Sequence, residues 1–393
     1  MAETAGALAG VRVVDLTDER GIYGAKLLAD LGADVVRPEP PGGDPLRARG
    51  PHRDATPDGC SSLWHAFFAS NRRFFSVDLT TEKGCKQLQK IVERADILLV
   101  CDRAFGFSEI DFERAQEQSP KLVIVNTSSF GPEGPWKDYL APDLVAGAFG
   151  GSVATTGDKD TPPLKTFGEL NFMLSGAYTA IAALSALYSA RETGAGQMVD
   201  VPVNACIASC LEHVLMWVWY HERMMFATGP VVPRQAGLHW AHTYEVMQAK
   251  GGSIMVTPTP DMQAQLMWMV EEDLHEDLLD EKYTEPGNHR EFVTRFMGIL
   301  RKFVGSRDVE ELFFEAQERH SPYGWVLPID KVAENPQLEG RDWWATYKSG
   351  ETETRGPGAP YRFSATPWSL GPYDAPGTDS ELALAEIGWG EDR

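Results

Sequence analysis

Two periods of apolar spacing alternate along the first two hundred residues. Short runs dominated by Val, Leu and Ile at 8–16 (LAGVRVVDL), 33–39 (ADVVRPE), 97–100 (ILLV) and 122–127 (LVIVNT) read as buried strands. Segment 76–79 (SVDL) predicts one more. Helix-spaced apolar residues fill 22–31, 83–95 and 112–118 between them. A strand, a helix and a strand joined through Leu31-Gly32-Ala33 make a βαβ unit, which implies a parallel sheet with right-handed crossovers. The central stretch is 163–203. It carries no formal charge from 170 to 190, turns at Arg191-Glu192-Thr193-Gly194-Ala195-Gly196, and ends in the strand-like 197–203. The Gly- and Pro-rich loop 128–136 leads into a helix at 143–150. After an apolar, aromatic run at 205–225, helices are expected at 261–281, 289–304 and 308–318, and the tail past Thr354 is rich in Pro and Gly. The expected organisation is a large, doubly wound domain at 1–225, a smaller α/β domain at 226–325, and a C-terminal segment at 326–393 that returns to the first domain. Ligands of such sheets bind at the carboxyl ends of the strands.

The whole-chain numbers narrow the function. The chain has 393 residues, enough for a large core, and 43% of them are hydrophobic. A net charge of −21 disfavours nucleic acid or an anionic membrane as partner, while leaving room for a small anion held by a few local arginines. Five cysteines without a CxxC pair, and no secretory leader pattern, predict reduced thiols and a cytoplasmic protein. Cys206, Cys210 and His213 share a helical spacing but lack a fourth ligand, so core packing is favoured over a metal site, and no metal is expected. The 21 residues of 170–190 are long enough to span a bilayer at about 1.5 Å per residue. Their Asn, Ser, Thr, Gly and Ala content, without flanking basic clusters or aromatic belts, reads instead as a tightly packed central helix.

Several chemistries are disfavoured by missing fingerprints. The sequence has no GxGxxG after a strand, no GxxxxGK[ST], no GxSxG and no HExxH, which argues against nicotinamide, P-loop, serine-hydrolase and zinc-protease chemistry. What the chain resembles is the class III CoA-transferase (CaiB/BaiF-type) family, over at least two thirds of its length. The resemblance is carried by 8–17 (LAGVRVVDLT), 27–36 (LLADLGADVV), Glu39 with Gly42-Gly43-Asp44, Asn71-Arg72-Arg73, Phe130-Gly131 with Gly134-Pro135 and Asp143, and Asn335-Pro336-Gln337-Leu338. Its most specific piece is Thr193-Gly194-x-Gly196-Gln197-x-Val199-Asp200-Val201.

That resemblance implies a Rossmann-like domain with a smaller one, two chains threaded as interlocked rings, and ping-pong transfer of CoA between carboxylic acids. CoA and acyl-CoA enter as substrates, with no permanently bound cofactor. The family's nucleophile is an aspartate four residues before a glycine of the central helix. It attacks the thioester carbonyl, forms a mixed anhydride and expels CoA thiolate. Counted back from Gly176 that position is Phe172, which has no nucleophilic atom. Glu169, three residues earlier, is the fallback, and Asn171 is a poorer one. Pro142 stands where related racemases carry a histidine before the residue matching Asp143. Arg37, Asn71, Arg72, Arg73 and Asp143 are the expected CoA-binding positions, the arginines as phosphate partners. Two further segments depart from the family pattern. Its Ala-Gly-Pro after the first strand is lost at Gly21-Ile22-Tyr23, and its Asn-Phe-Arg-Pro at Asp102-Arg103-Ala104-Phe105. Met- and aromatic-rich stretches at 216–226 and 262–269 suggest either an acyl pocket or ordinary core.

The leading expectation is therefore a subunit without its own nucleophile in a heteromeric transferase, paired with a homologous aspartate-bearing subunit. Its expected reaction is transfer from succinyl-CoA to an aryl- or alkyl-substituted succinate. The alternatives are a homodimeric transferase using Glu169 and a CoA-binding regulatory protein without turnover.

Overall fold

The structure is a computed structural model that describes residues 6–53, 60–220, 234, 236–237, 243–258, 262–285, 287–349, 352–371, 373 and 389. It divides into two compact units, one of residues 1–153, 165–212 and 336–393, the other of residues 154–164 and 213–335. The sequence-based boundary near 225 lies outside the described residues.

The first unit begins with β1 (Arg12–Leu16), α1 (Ile22–Asp30), β2 (Asp34–Glu39), α2 (Leu63–Phe68), β3 (Arg72–Ser76), α3 (Glu82–Val92), β4 (Ile97–Val100), α4 (Phe112–Gln118) and β5 (Val123–Ser128). It continues with α5 (Asp143–Gly150), α7 (Leu170–Thr193), β6 (Met198–Pro202) and α8 (Val203–Ser209); the short α6 (Ser152–Thr155) crosses the boundary between the units, and α9 (Glu212–Tyr220) belongs to the second unit but for its first residue. The strands form one sheet in the order β3-β2-β1-β4-β5-β6, and every neighbouring pair is parallel. The order reverses between β1 and β4, which makes that gap the switch point of a doubly wound sheet. Both faces are covered. One core packs α1 and α7 on the sheet through Ala25, Leu28, Ala180, Ala183 and Leu187, and the other packs α3 through Leu88, Ile91 and Val92. Helix α7 is long and apolar enough to cross a membrane, and half of its most apolar stretch is buried inside the protein.

The third strand departs from the expectation. Residues 77–79 are not strand; β3 lies at Arg72–Ser76 instead. Two leading arginines disguised it, and the Arg72 side chain is tolerated there because it reaches buried Asp15 at 3.3 Å.

The second unit holds an antiparallel sheet of β7 (Glu245–Ala249), β8 (Gly252–Val256) and β9 (Gly324–Trp325), with α10 (Met262–Glu271), α11 (His289–Gly305) and α12 (Val309–Glu318). Trp268 and Met269 lie in its core with Phe296, Phe303 and Leu312, so 262–269 contributes core rather than the suggested pocket lining. Residues 221–226 of the other suggested stretch lie outside the described residues. The remaining elements are α13 (Ile329–Ala333), α14 (Pro336–Glu339) and the hairpin β10 (Ala345–Ser349) with β11 (Thr352–Gly356).

Candidate functional site

Helix α7 begins at the carboxyl side of the sheet, against α5 and α8. Its N-cap residue is Glu169, whose side chain makes no capping hydrogen bond. The first turn is served from a different helix. The Phe172 N–H donates to Asp143 Oδ1 at 3.0 Å, and Asn171 Nδ2 donates to Asp143 Oδ2 at 3.0 Å. Asp143 is thereby a cap in trans for α7, its negative charge set against the positive end of the helix.

The Phe172 ring points away from solvent. It is 4% exposed and packs with Ala141, Ala146, Val203 and Ile207, with Phe130, Val145 and Leu174 around them. Where the resemblance implies an attacking carboxylate, this chain has built a small apolar core. Glu169 is instead ion-paired with Arg49, whose guanidinium lies 4.3 Å over the Trp64 ring.

Four of the expected CoA-binding residues turn out to be bound within the protein. Arg37 is buried, donating to Asp15 Oδ2 at 2.8 Å, to Asp44 Oδ2 at 2.6 Å and to the Thr17 carbonyl at 2.8 Å. Arg72 is buried too, donating to the Ile22 carbonyl at 2.7 Å. Arg73 forks onto both Asp34 oxygens, at 2.7 and 2.6 Å. Asn71 donates to Asp30 Oδ1 at 2.8 Å and accepts from the Gly371 N–H at 2.7 Å, which fastens the C-terminal segment. Asn71, Arg72 and Arg73 border a cleft of about 330 Å³ with Tyr361, Phe363 and Trp368. That cleft lies at the amino ends of β2 and β3, away from the switch point.

Arg37 and Arg72 belong to a buried charge cluster with Asp15, Glu39, Asp44, Arg47, His65 and Tyr373. Burial pushes the Asp15 carboxyl up, but Arg37 and Arg72 more than offset it and hold it below the usual carboxylate range. Burial raises Glu39, and Arg47 compensates only in part. Burial pulls the His65 imidazole down to about 4 against the opposing pull of Asp44. Its Nδ1 lies 2.6 Å from the Tyr373 hydroxyl, to which Arg47 Nη1 donates at 3.0 Å. Glu39, Asp44 and His65 bring ligand atoms within 4.8 Å of one another. Arg37 and Arg47 already neutralise those two carboxylates, so the group is a balanced ion-pair cluster rather than a cation cage.

Sequence reasoning missed the feature at the switch point itself. Arg20, in the loop after β1, donates from Nη1 to Asp102 Oδ1 at 2.5 Å and from Nη2 to the Asp102 carbonyl at 2.6 Å. It also holds Asp18 at 2.6 Å. The loops after β1 and β4 are thus tied together across the gap where such sheets take ligands. The signal was present in two pieces, since the two lost family segments adjoin these residues.

Sheet order, helix placement and the head of α7 define a doubly wound α/β protein with an apolar residue at the head of its central helix. Residues 8–380 match CoA-transferase family III, and the chain belongs to that family. It is 30% identical, over 96% of its length and 93% of the other's, to the succinyl-CoA:(R)-benzylsuccinate CoA-transferase subunit BbsE of Thauera aromatica. It is 27% identical to the formyl-CoA:oxalate CoA-transferase of Streptomyces avermitilis, over 98% and 97% of the two chains. A solved CaiB/BaiF family protein from Brucella suis has the same fold, with a TM-score of 0.80 at 23% identity, covering 98% of this chain and all of that one. The family uses CoA thioesters as substrates, and related members move CoA between acids.

Proposed function

We propose that this chain is the subunit without a nucleophile in a heteromeric class III CoA-transferase. The complex would move CoA from succinyl-CoA to an aryl- or alkyl-substituted succinate, with benzylsuccinate as the guide because a similar protein is named as a subunit of that enzyme. The observation that carries this reading is Phe172, a buried ring at the nucleophile's place. A carboxylate there would attack the thioester carbonyl, forming an anhydride and releasing CoA thiolate, and a phenyl ring has no lone pair to do so. The homologous partner supplies that carboxylate, and this chain supplies fold, interface and part of a pocket. Arg37 and Arg72 held inside, and Arg20 tying the crevice, fit a chain relieved of catalysis. The free state of all five cysteines fits the cytoplasm.

The test is acyl exchange between succinyl-CoA and benzylsuccinate, with hydroxylamine added to trap the anhydride. The full chain alone should show neither exchange nor trapping, and co-expression with an aspartate-bearing homologue should give both. Exchange by the chain alone would overturn the proposal.

A further inference from the structure

We propose that Arg49, laid on Trp64 beside the head of α7, is an anchor for a carboxylate of a short dicarboxylic acid, and that Glu169 occupies it as an internal stand-in. This rests on the reading of the substrates as substituted succinates. The guanidinium is preorganised from several sides. Its backbone N–H donates to the Leu46 carbonyl, and the Arg49 carbonyl accepts from Ser62 Oγ, whose oxygen also caps α2. Its Cζ lies 4.3 Å over the indole of Trp64. A guanidinium held over an aromatic ring on a fastened backbone loses little freedom on gripping a planar anion.

Its hydrogen bonds are only partly taken. Among the described residues Arg49 bonds through Nη2 to Glu169 Oε1, while Nε and Nη1 have no protein partner, and its side chain is 33% exposed. Arg20 and Arg37 differ, since each has its guanidinium engaged at all three nitrogens. Both carboxylate-spaced N–H pairs of a guanidinium include Nη2, the nitrogen that Glu169 holds, so a carboxylate that displaces Glu169 gains a full fork with Nε or Nη1. Glu169 is free to be displaced because Asp143 has taken over the capping of α7. Phe167 and Leu170, on either side of Glu169 in sequence, are exposed and offer apolar surface to a substituent.

The full chain is titrated calorimetrically with succinate and, separately, with CoA. Succinate should bind the wild type. Arg49→Gln should weaken it at least tenfold, Arg49→Lys should weaken it as well by losing the fork, and Glu169→Gln should tighten it about threefold or more by removing the competitor. CoA binding should not respond to Arg49→Gln. Equal succinate affinity in the wild type and Arg49→Gln overturns the proposal, as does absence of binding in both the wild type and Glu169→Gln. A loss confined to CoA assigns the arginine to a phosphate and overturns it too. Should Arg49→Gln fail to fold, Glu169→Gln decides alone, and no tightening counts against the anchor. Neither partner nor turnover enters this readout. Partner-dependent exchange without Arg49-dependent binding sinks only the anchor, and the reverse sinks only the subunit reading.

Discussion

Replacing Phe172 by alanine separates a core ring from a pocket ring. At 4% exposure the side chain buries nearly all its surface against Ala141, Ala146, Val203 and Ile207. A phenylalanine buries about 200 Å², worth about 5 kcal/mol at ~25 cal/mol per Å². Alanine retains the Cβ, and the unfolded chain already hides part of the ring, so the expected loss is about 3–4 kcal/mol. Phe172→Leu, which keeps most of the volume, should cost about 1 kcal/mol. Equilibrium urea unfolding followed by far-ultraviolet circular dichroism reads both. Combined with an aspartate-bearing partner, the leucine variant should keep exchange within about twofold of the wild type, since no reacting atom is lost. A cost below about 1 kcal/mol for alanine would show that the ring is not core. A folded leucine variant with a hundredfold slower exchange would place the ring in a working site, and the reasoning would fall.

Two further outcomes follow from the buried charges and the cap. Because burial lowers His65 to about 4 from an ordinary 6.5, the folded state resists a proton that the unfolded chain accepts. Its contribution is whole above pH 6.5 and is lost as pH falls to 4, about 3 kcal/mol in all. His65→Gln should flatten the stability profile in that window, and an unchanged slope would be evidence against the assignment. Asp143→Ala should cost about 1–2 kcal/mol by uncapping α7 and removing one acceptor from the buried Asn171 amide, which keeps its bonds to the Asp143 carbonyl and Ser152, measured by the same urea titration, and a cost under about 0.5 kcal/mol would contradict the trans cap.

The sheet was legible because its strands are apolar runs between turn signals, and the one misplaced strand, β3, begins with two charged residues. Local pattern cannot show that Arg72 has a partner in Asp15, 57 positions earlier in the chain. A signal did exist on the other side of that pair. Asp15 sits inside the apolar run Val13-Val14-Asp15-Leu16, and a carboxylate in a central strand must find a cation. Read from Asp15 outward, Arg37 and Arg72 are internal counter-charges before they are phosphate ligands. The register that located Phe172 has a physical basis of its own. A side chain at Gly176 would lie 2.8 Å from the Gly24 nitrogen and 2.8 Å from Tyr23 Cβ, because α1 crosses α7 there in close contact. The glycine fixes the helix against its neighbour, so counting four residues back reaches a defined place in space.

Residues distant in sequence but joined at the site stayed hidden for a related reason. Arg20 and Asp102 are 82 positions apart, Arg49 and Glu169 are 120 apart, and each is an ordinary surface charge when taken alone. What the sequence did show was two losses of family pattern, after the first and fourth strands, that looked independent. In a parallel sheet ordered 3-2-1-4 those two strand ends are neighbours, so the losses face one another across one gap. A salt bridge spans that gap, and an apolar core fills the place at the head of α7 that the resemblance gives to the nucleophile. Charge placed across the gap and apolar bulk placed under the helix head each contribute native contacts to this fold. Under the proposed reading, in which a partner holds the chemistry, selection for a stable scaffold would produce both.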